Sequence, residues 1–324
     1  MRIRALIMLL LAAGLLSLAV TACGGDDDDE SAGDTTSEAG SDLSGRIQVD
    51  GSSTVGPLVT AAAERFQQEN SDVQVTVGIS GTGGGFERFC AGETDISNAS
   101  RQIDEEEVQA CESEGVEYSE LRVATDALTV VVNSENDWAT CLTVDQLKQI
   151  WQPGSKVDNW NQVDPAFPDQ ELKLFGPGTD SGTFDYFTDE INGEEGASRS
   201  DYQASEDDNV LVQGIQGETG GLGYFGFSYF EENQDTLKAL EVDGGSGCVA
   251  PSVATAQDNS YTPLSRPLFV YVKNDALQRP EVTAFVEYLL DNATEIAEAA
   301  QFVPLTEAQL TEARDALAQA EGAG

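Results

Sequence analysis

Leu174-Phe175-Gly176-Pro177-Gly178-Thr179-Asp180-Ser181-Gly182-Thr183-Phe184 carries the grammar on which the rest of the chain is built. Leu172, Leu174 and Phe175 read as the end of a strand, and Gly176 to Gly178 as a turn. Asp180 or Ser181 then caps a helix, because a short side-chain oxygen takes one of the orphan amide hydrogens of a first turn. With an unobstructed amide at Gly182 and a hydroxyl at Thr183, such a helix start is also an anion pocket that needs no lysine. One stretch of this kind is equally well explained by plain helix capping. Recurrence decides between the two.

The same grammar occurs twice more. Arg46 to Asp50 alternates as a short strand and runs into Gly51-Ser52-Ser53-Thr54-Val55-Gly56-Pro57-Leu58, where Pro57 suits a first helical position. Leu58, Val59, Ala62, Ala63 and Phe66 follow at helical spacing. Val73, Val75, Val77 and Ile79 form a strand of period two, Ser80-Gly81-Thr82-Gly83-Gly84-Gly85 a loop, and Phe86 to Ala91 a helix. Three glycines in a row cost backbone entropy, so they point to a close approach rather than a slack surface loop. Further on, Ala127 to Val132 reads as a buried strand, Thr143 with Gln146 as a capping box, Asp207 to Ile215 as a helix and Gly220 to Phe227 as a strand and turn. Pro267 to Val272 is another strand, followed by an amphipathic helix through Val282, Phe285, Val286, Leu289 and Leu290 and a last helix capped by Thr306. Alternating strands and helices define an α/β architecture with mainly parallel sheets. Ligands of open α/β sheets lie beyond the carboxyl ends of the strands, so three strand-to-helix loops there imply a small, oxygen-rich anion. Charge-assisted hydrogen bonds contribute about 1.5–3 kcal/mol each, enough in sum to outweigh desolvation without a lysine.

At 324 residues the chain is long enough for two lobes. Its formal net charge of −42 excludes a nucleic-acid partner, since phosphate-backbone binding needs a cationic footprint. Arg2 and Arg4, the apolar run Ile3 to Val20, and Val20-Thr21-Ala22-Cys23 read as a secretory signal over residues 1–22, with Cys23 as a lipidated first mature residue in the manner of a bacterial lipobox. Residues 23–44, rich in Asp, Gly, Ser and Thr, read as a solvated acidic tether. The expected location is extracytoplasmic, lipid-anchored to the outer face of the cell membrane, and the expected state a monomer. Beyond Cys23 the cysteines are Cys90, Cys111, Cys141 and Cys248, an even number that in an exported protein suggests two disulfides with three pairings available. The absence of histidine and of any CxxC leaves no zinc shell, and neither metal nor cofactor is expected. Asp180-Ser181-Gly182 resembles a serine-protease nucleophile segment, but without histidine a Ser-His-Asp triad is impossible, and Lys156 and Lys173 sit in no recognisable Ser-Lys pairing.

Gly51 to Leu58, Ser80 to Phe86, Asp95 to Arg101, Thr179 to Phe184 and Ser265-Arg266-Pro267-Leu268, in this order and spacing, resemble the phosphate-binding proteins of high-affinity phosphate ABC importers, over residues 46–305. The resemblance implies a two-lobed periplasmic-binding-protein fold of the second type, each lobe a mainly parallel sheet flanked by helices. Lobe 1 would comprise residues 45–127 plus 258–324, lobe 2 residues 128–257, with the ligand in the cleft between them. It implies capture of inorganic phosphate and delivery to the membrane permease of an ABC importer, with another tetrahedral oxyanion such as sulfate as the alternative. Ligand positions carry over to Thr54, Val55, Thr82, Ser181, Gly182 and Thr183, with Ser53, Gly83, Ser100 and Arg101 beside them. Where the best-known members have an aspartate that accepts the phosphate proton, this chain has Ser100; where they have an arginine before the third loop, it has Pro177. Arg101 is then the expected source of positive charge, unless the Glu105 to Glu107 cluster claims it as an ion-pair partner, and Asp50, Asp126 and Asp180 remain open as proton acceptors. Pairing Cys90 with Cys111 and Cys141 with Cys248 keeps one bridge in each lobe.

Overall fold

The computed structural model describes residues 43–322; the leader, Cys23 and nearly all of the tether lie outside the described residues. β1 (Gly45–Gly51) lies between two parallel neighbours, β2 (Val73–Val77) and β3 (Ile96–Ala99). The chain then enters β4 (Tyr118–Asn133), a strand of 16 residues that serves two sheets. Its first part, Tyr118 to Ala127, pairs antiparallel with β12 (Ser265–Lys273), and its second part, from Leu128, pairs antiparallel with β8 (Gly221–Gly226) and β9 (Leu237–Ala239). Beyond it come β5 (Cys141–Thr143), β6 (Lys173–Pro177), β7 (Gln203–Ser205), β8 (Gly221–Gly226), β9 (Leu237–Ala239), β10 (Glu241–Asp243), β11 (Cys248–Val249) and β12 (Ser265–Lys273). The long sheet runs β2-β1-β3-β12-β4-β8-β6-β7, with β9 on β4, and β11-β10-β5 form a small separate sheet.

The pattern repeats. A parallel trio, β2-β1-β3, is followed by antiparallel β12; the second trio, β7-β6-β8, is followed by antiparallel β4. The chain is two-lobed α/β, and its antiparallel members are the strands that cross between the trios. Helix Gly56–Glu69 opens with Pro57 in its first turn and buries Leu58, Val59, Ala62, Ala63 and Phe66, the spacing read from the sequence. These residues form one core with Ile47, Val49, Val270, Phe285 and Leu289, in which Phe66 meets Phe285 edge-on with centroids 5.4 Å apart. A second core gathers Leu128, Trp151, Trp160, Leu174, Phe187, Leu222 and Tyr224, with Phe187 and Tyr224 stacked at 3.7 Å. Disulfides join Cys90 to Cys111, across a small cluster that includes Phe86, Phe89 and Tyr271, and Cys141 to Cys248, across the small sheet.

The helix that Ser181 caps is not of one kind along its length. It is α-helical over Gly182–Phe187 and widens to a π turn over Thr188–Asn192. Thr188 supplies a local cause, since its hydroxyl bonds back to the carbonyls of Phe184 at 2.8 Å and Asp185 at 3.0 Å and competes with the regular ladder. Among the described residues no helix is long and apolar enough to cross a membrane.

Candidate functional site

The first loop is braced from within. Ser52 Oγ accepts from the amides of Thr54 at 3.2 Å and Val55 at 3.4 Å, which leaves Ser53 and the Thr54 hydroxyl outward while Val55 is buried beneath them. The second loop is anchored by a carboxylate. Asp50, buried at the end of β1, accepts from Ser80 Oγ and from the Gly51 amide, both at 2.7 Å, and its other oxygen meets the Arg88 guanidinium. Helix Gly81–Cys90 starts with Gly81 at φ +80°, a conformation an L side chain resists. A Cβ on Gly85 would lie 2.5 Å from Gly51 Cα, so it is this one glycine of the run that lets the helix lie directly on β1. Thr82 Oγ1 accepts from the Ser100 amide at 3.2 Å and lies 3.1 Å from Ser100 Oγ, which ties the second loop to the end of β3. In the third loop Ser181 is the N-cap, its Oγ accepting from the Thr183 amide at 3.2 Å. Glu206 lies against Gly178, and Tyr202 OH donates to Pro177 O at 2.8 Å.

The first two loops border an open cleft of about 580 Å³. Ser53, Thr54, Thr82, Gly83, Ser100 and Arg101 line it. Ser181, Gly182 and Thr183 are not in its lining, although a Cβ on Gly182 would stand 3.2 Å from Thr54 Oγ1, so the third loop packs directly against the first. Asp50 and Asp126 are buried and engaged, the former as above and the latter by Arg266. Asp180 is exposed. Arg101 grips Glu107 with both terminal nitrogens at 2.7 Å, the ion pair that its acidic neighbours suggested, and this bond raises its already high pKa further.

The sequence placed Arg266 within the Ser265 to Leu268 motif without giving it a ligand role, and did not single out the opposite wall. Arg266 donates from Nε to Asp126 Oδ2 at 3.2 Å and from Nη2 to Thr54 Oγ1 at 3.0 Å, and it lies over the Tyr186 ring at 3.6 Å. The signal that could have found it is a lone cation entering an apolar strand, in a chain with 16 basic residues against 58 acidic. The wall facing the donor loops is acidic: Asp185, Asp189, Glu190 and Glu195. Burial, reinforced by Glu195 for Asp185 and by Asp189 for Glu190, pushes both carboxyls up, while Arg266 opposes the shift. Burial likewise lifts Asp126 against the pull of Arg266. Hydroxyls, amides and a guanidinium on one side and carboxylates on the other suit an oxyanion that still carries a proton. Among the described residues no lysine lines the cleft.

An α/β chain of two lobes whose strand-to-helix loops border one polar cleft has the architecture of a solute-binding protein. It matches the PBP superfamily domain over residues 35–293. It is similar to the protein SphX of Synechococcus elongatus, at 50% identity over 262 residues covering 80% of this chain and 77% of that one. It is also similar to the phosphate-binding protein PstS of Staphylococcus saprophyticus, at 40% identity with 84% of each chain covered. A crystal structure of a "possible phosphate binding protein" from Planctomyces limnophilus superposes with a TM-score of 0.83 at 45% identity, covering 86% of this chain and 99% of that one. The chain belongs to the PBP superfamily, in the branch it shares with the SphX and PstS proteins.

Proposed function

We propose that this protein captures inorganic phosphate in the cleft and hands it to the permease of an ABC importer. The observation that carries the reading is the meeting of three elements at Thr54 Oγ1, where the first loop, Gly182 of the third loop and the Arg266 guanidinium come together. The names of the PstS relative and of the Planctomyces limnophilus protein support phosphate as the anion. The ligand set is Ser53, Thr54, Val55, Thr82, Gly83 and Ser100 from the first and second loops and the end of β3, with Ser181, Gly182 and Thr183 closing from the third, while Arg101 lines the cleft beside them. The lobes are residues 45–127 plus 258–324 and residues 128–257, and hinge movement at the crossing strands brings the third loop onto the ligand. A carboxylate of the acidic wall accepts a hydrogen bond from the hydroxyl of hydrogen phosphate, a proton that sulfate lacks at neutral pH. The protein works as a monomer, exported by residues 1–22 and held by lipidated Cys23 on the tether 23–44, at the outer face of the cell membrane.

Calorimetric titration with phosphate and with sulfate tests the reading. Phosphate binds and sulfate does not; tight sulfate binding with none for phosphate sinks it. Ser181→Ala weakens phosphate binding about tenfold or more, the loss expected for one charge-assisted hydrogen bond.

A further inference from the structure

We propose that Arg266, rather than Arg101, supplies the positive charge that contacts the bound oxyanion. The inference rests on the phosphate reading of the same cleft. Both guanidiniums line that cleft, but their surroundings differ. Arg101 has each terminal nitrogen on a different oxygen of Glu107 at 2.7 Å, with Asp104 Oδ2 a further 3.7 Å from Nη2, so its charge is balanced before a ligand arrives. Its side chain is 45% exposed, which screens what remains.

Arg266 meets a single carboxylate, and only through Nε. Nη2 donates to Thr54 Oγ1, and Nη1 makes no hydrogen bond within the described residues. One guanidinium face lies against the Tyr186 ring, which is itself buried and tethered by its hydroxyl to Pro263 O at 2.6 Å. Stem, face and one terminal nitrogen are thus fixed, and the unpaired nitrogen belongs to a side chain that lines the cleft. A planar fork held in this way suits two oxygens of one tetrahedral anion. Because Thr54 Oγ1 accepts from Arg266, its own proton is available to the same ligand. Gly182 packs against that hydroxyl, so an anion seated there also comes within reach of the third loop. Tyr186 belongs to the second core, so the contact that orients Arg266 also crosses from one lobe's packing to the other's.

The test is calorimetric titration of inorganic phosphate into wild-type protein and Arg266→Gln, Arg266→Lys, Arg101→Gln and Asp126→Asn, with thermal unfolding measured on each. Arg266→Gln weakens binding at least about 100-fold, the loss of two charge-assisted contacts, and Arg266→Lys falls between it and wild type because an ammonium offers one point charge. Arg101→Gln costs less than about tenfold. Asp126→Asn keeps the shape, removes the counter-charge, and holds or tightens affinity. A loss in Arg101→Gln that equals or exceeds that in Arg266→Gln overturns the inference, as does wild-type affinity in Arg266→Gln. If Arg266→Gln does not fold, Arg266→Lys with wild-type affinity together with weakened Asp126→Asn overturns it. Wild-type protein that ignores phosphate strikes the functional reading as well, whereas wild-type binding with an unaffected Arg266→Gln strikes this inference alone.

Discussion

Gly85→Ala tests whether the second loop is held by direct helix-on-strand contact. A Cβ at Gly85 would stand 2.5 Å from Gly51 Cα, 3.0 Å from Ser97 Oγ and 3.2 Å from Asp50 O. Two of these atoms are backbone of β1, so no side chain can swing aside. Carbon atoms pack comfortably at about 3.5–4 Å, so helix Gly81–Cys90 must lift by about 1 Å or β1 must bend. Overpacking of this kind costs about 1–3 kcal/mol, and the better helix propensity of alanine returns about 0.5–1 kcal/mol. The net loss, up to about 2.5 kcal/mol, lowers Tm by up to about 10 °C at about 2–4 °C per kcal/mol. Thr82 and Gly83 ride on the same helix, so phosphate affinity falls with it. Two neighbours serve as internal comparisons in thermal unfolding. At Gly84 the nearest atom is Ser80 Oγ at 3.0 Å, the end of a side chain; at Gly83 nothing lies nearer than 3.9 Å. Gly83→Ala therefore melts at or above wild type, Gly84→Ala near it and Gly85→Ala below it. Gly85→Ala melting at or above wild type, or below which Gly83→Ala falls, refutes the reasoning.

Two further predictions concern stability. Burial, with Asp207 and Glu206 adding to it, raises the Asp208 carboxyl to about 6. Between about pH 4 and 6 the native state holds a proton that the unfolded chain has released, so stability falls as pH rises through that window. Asp208→Asn removes the penalty, stabilising by on the order of 2 kcal/mol at pH 8 and not at all below about pH 4; equal Tm shifts at both would contradict the assignment. The Cys141–Cys248 bridge closes a separation of 107 residues, for which chain entropy gives about 5 kcal/mol. Replacing both cysteines by serine lowers the urea midpoint accordingly, and a change worth less than about 1 kcal/mol rules out that account.

What was legible in the sequence was local. The first and third loops declare themselves through short oxygens and Pro57 beside apolar runs, and the second through its glycines; the capping boxes at Thr143 and Thr306 form as read. The two antiparallel crossing strands were not legible as such, because Ala127 to Val132 is apolar but for Thr129 and carries no mark of its partner. The Arg266 arrangement was out of reach for a related reason. Thr54 and Arg266 are 212 residues apart, and Asp126 and Arg266 are 140 apart. Nothing in either neighbourhood alone says that a guanidinium will stand between them. The acidic wall hides in a different way: Asp185, Asp189 and Glu190 are short-range neighbours on one helical stretch, and nothing in their spacing marks them as facing a cleft.

The pairing of β12 with both β3 and β4 has a consequence for how the chain assembles. β3 is buried along its whole length, yet the strand that covers one of its edges begins at Ser265. As the chain emerges N-terminus first, the β1-β2-β3 trio has an open flank until nearly everything that follows has been made. Such long-range pairing is slow, and an uncovered strand edge recruits other chains. The half of the protein that begins the sequence is therefore the last to be completed, and the second core, whose strands β6 to β9 are close in sequence, is the one able to form early.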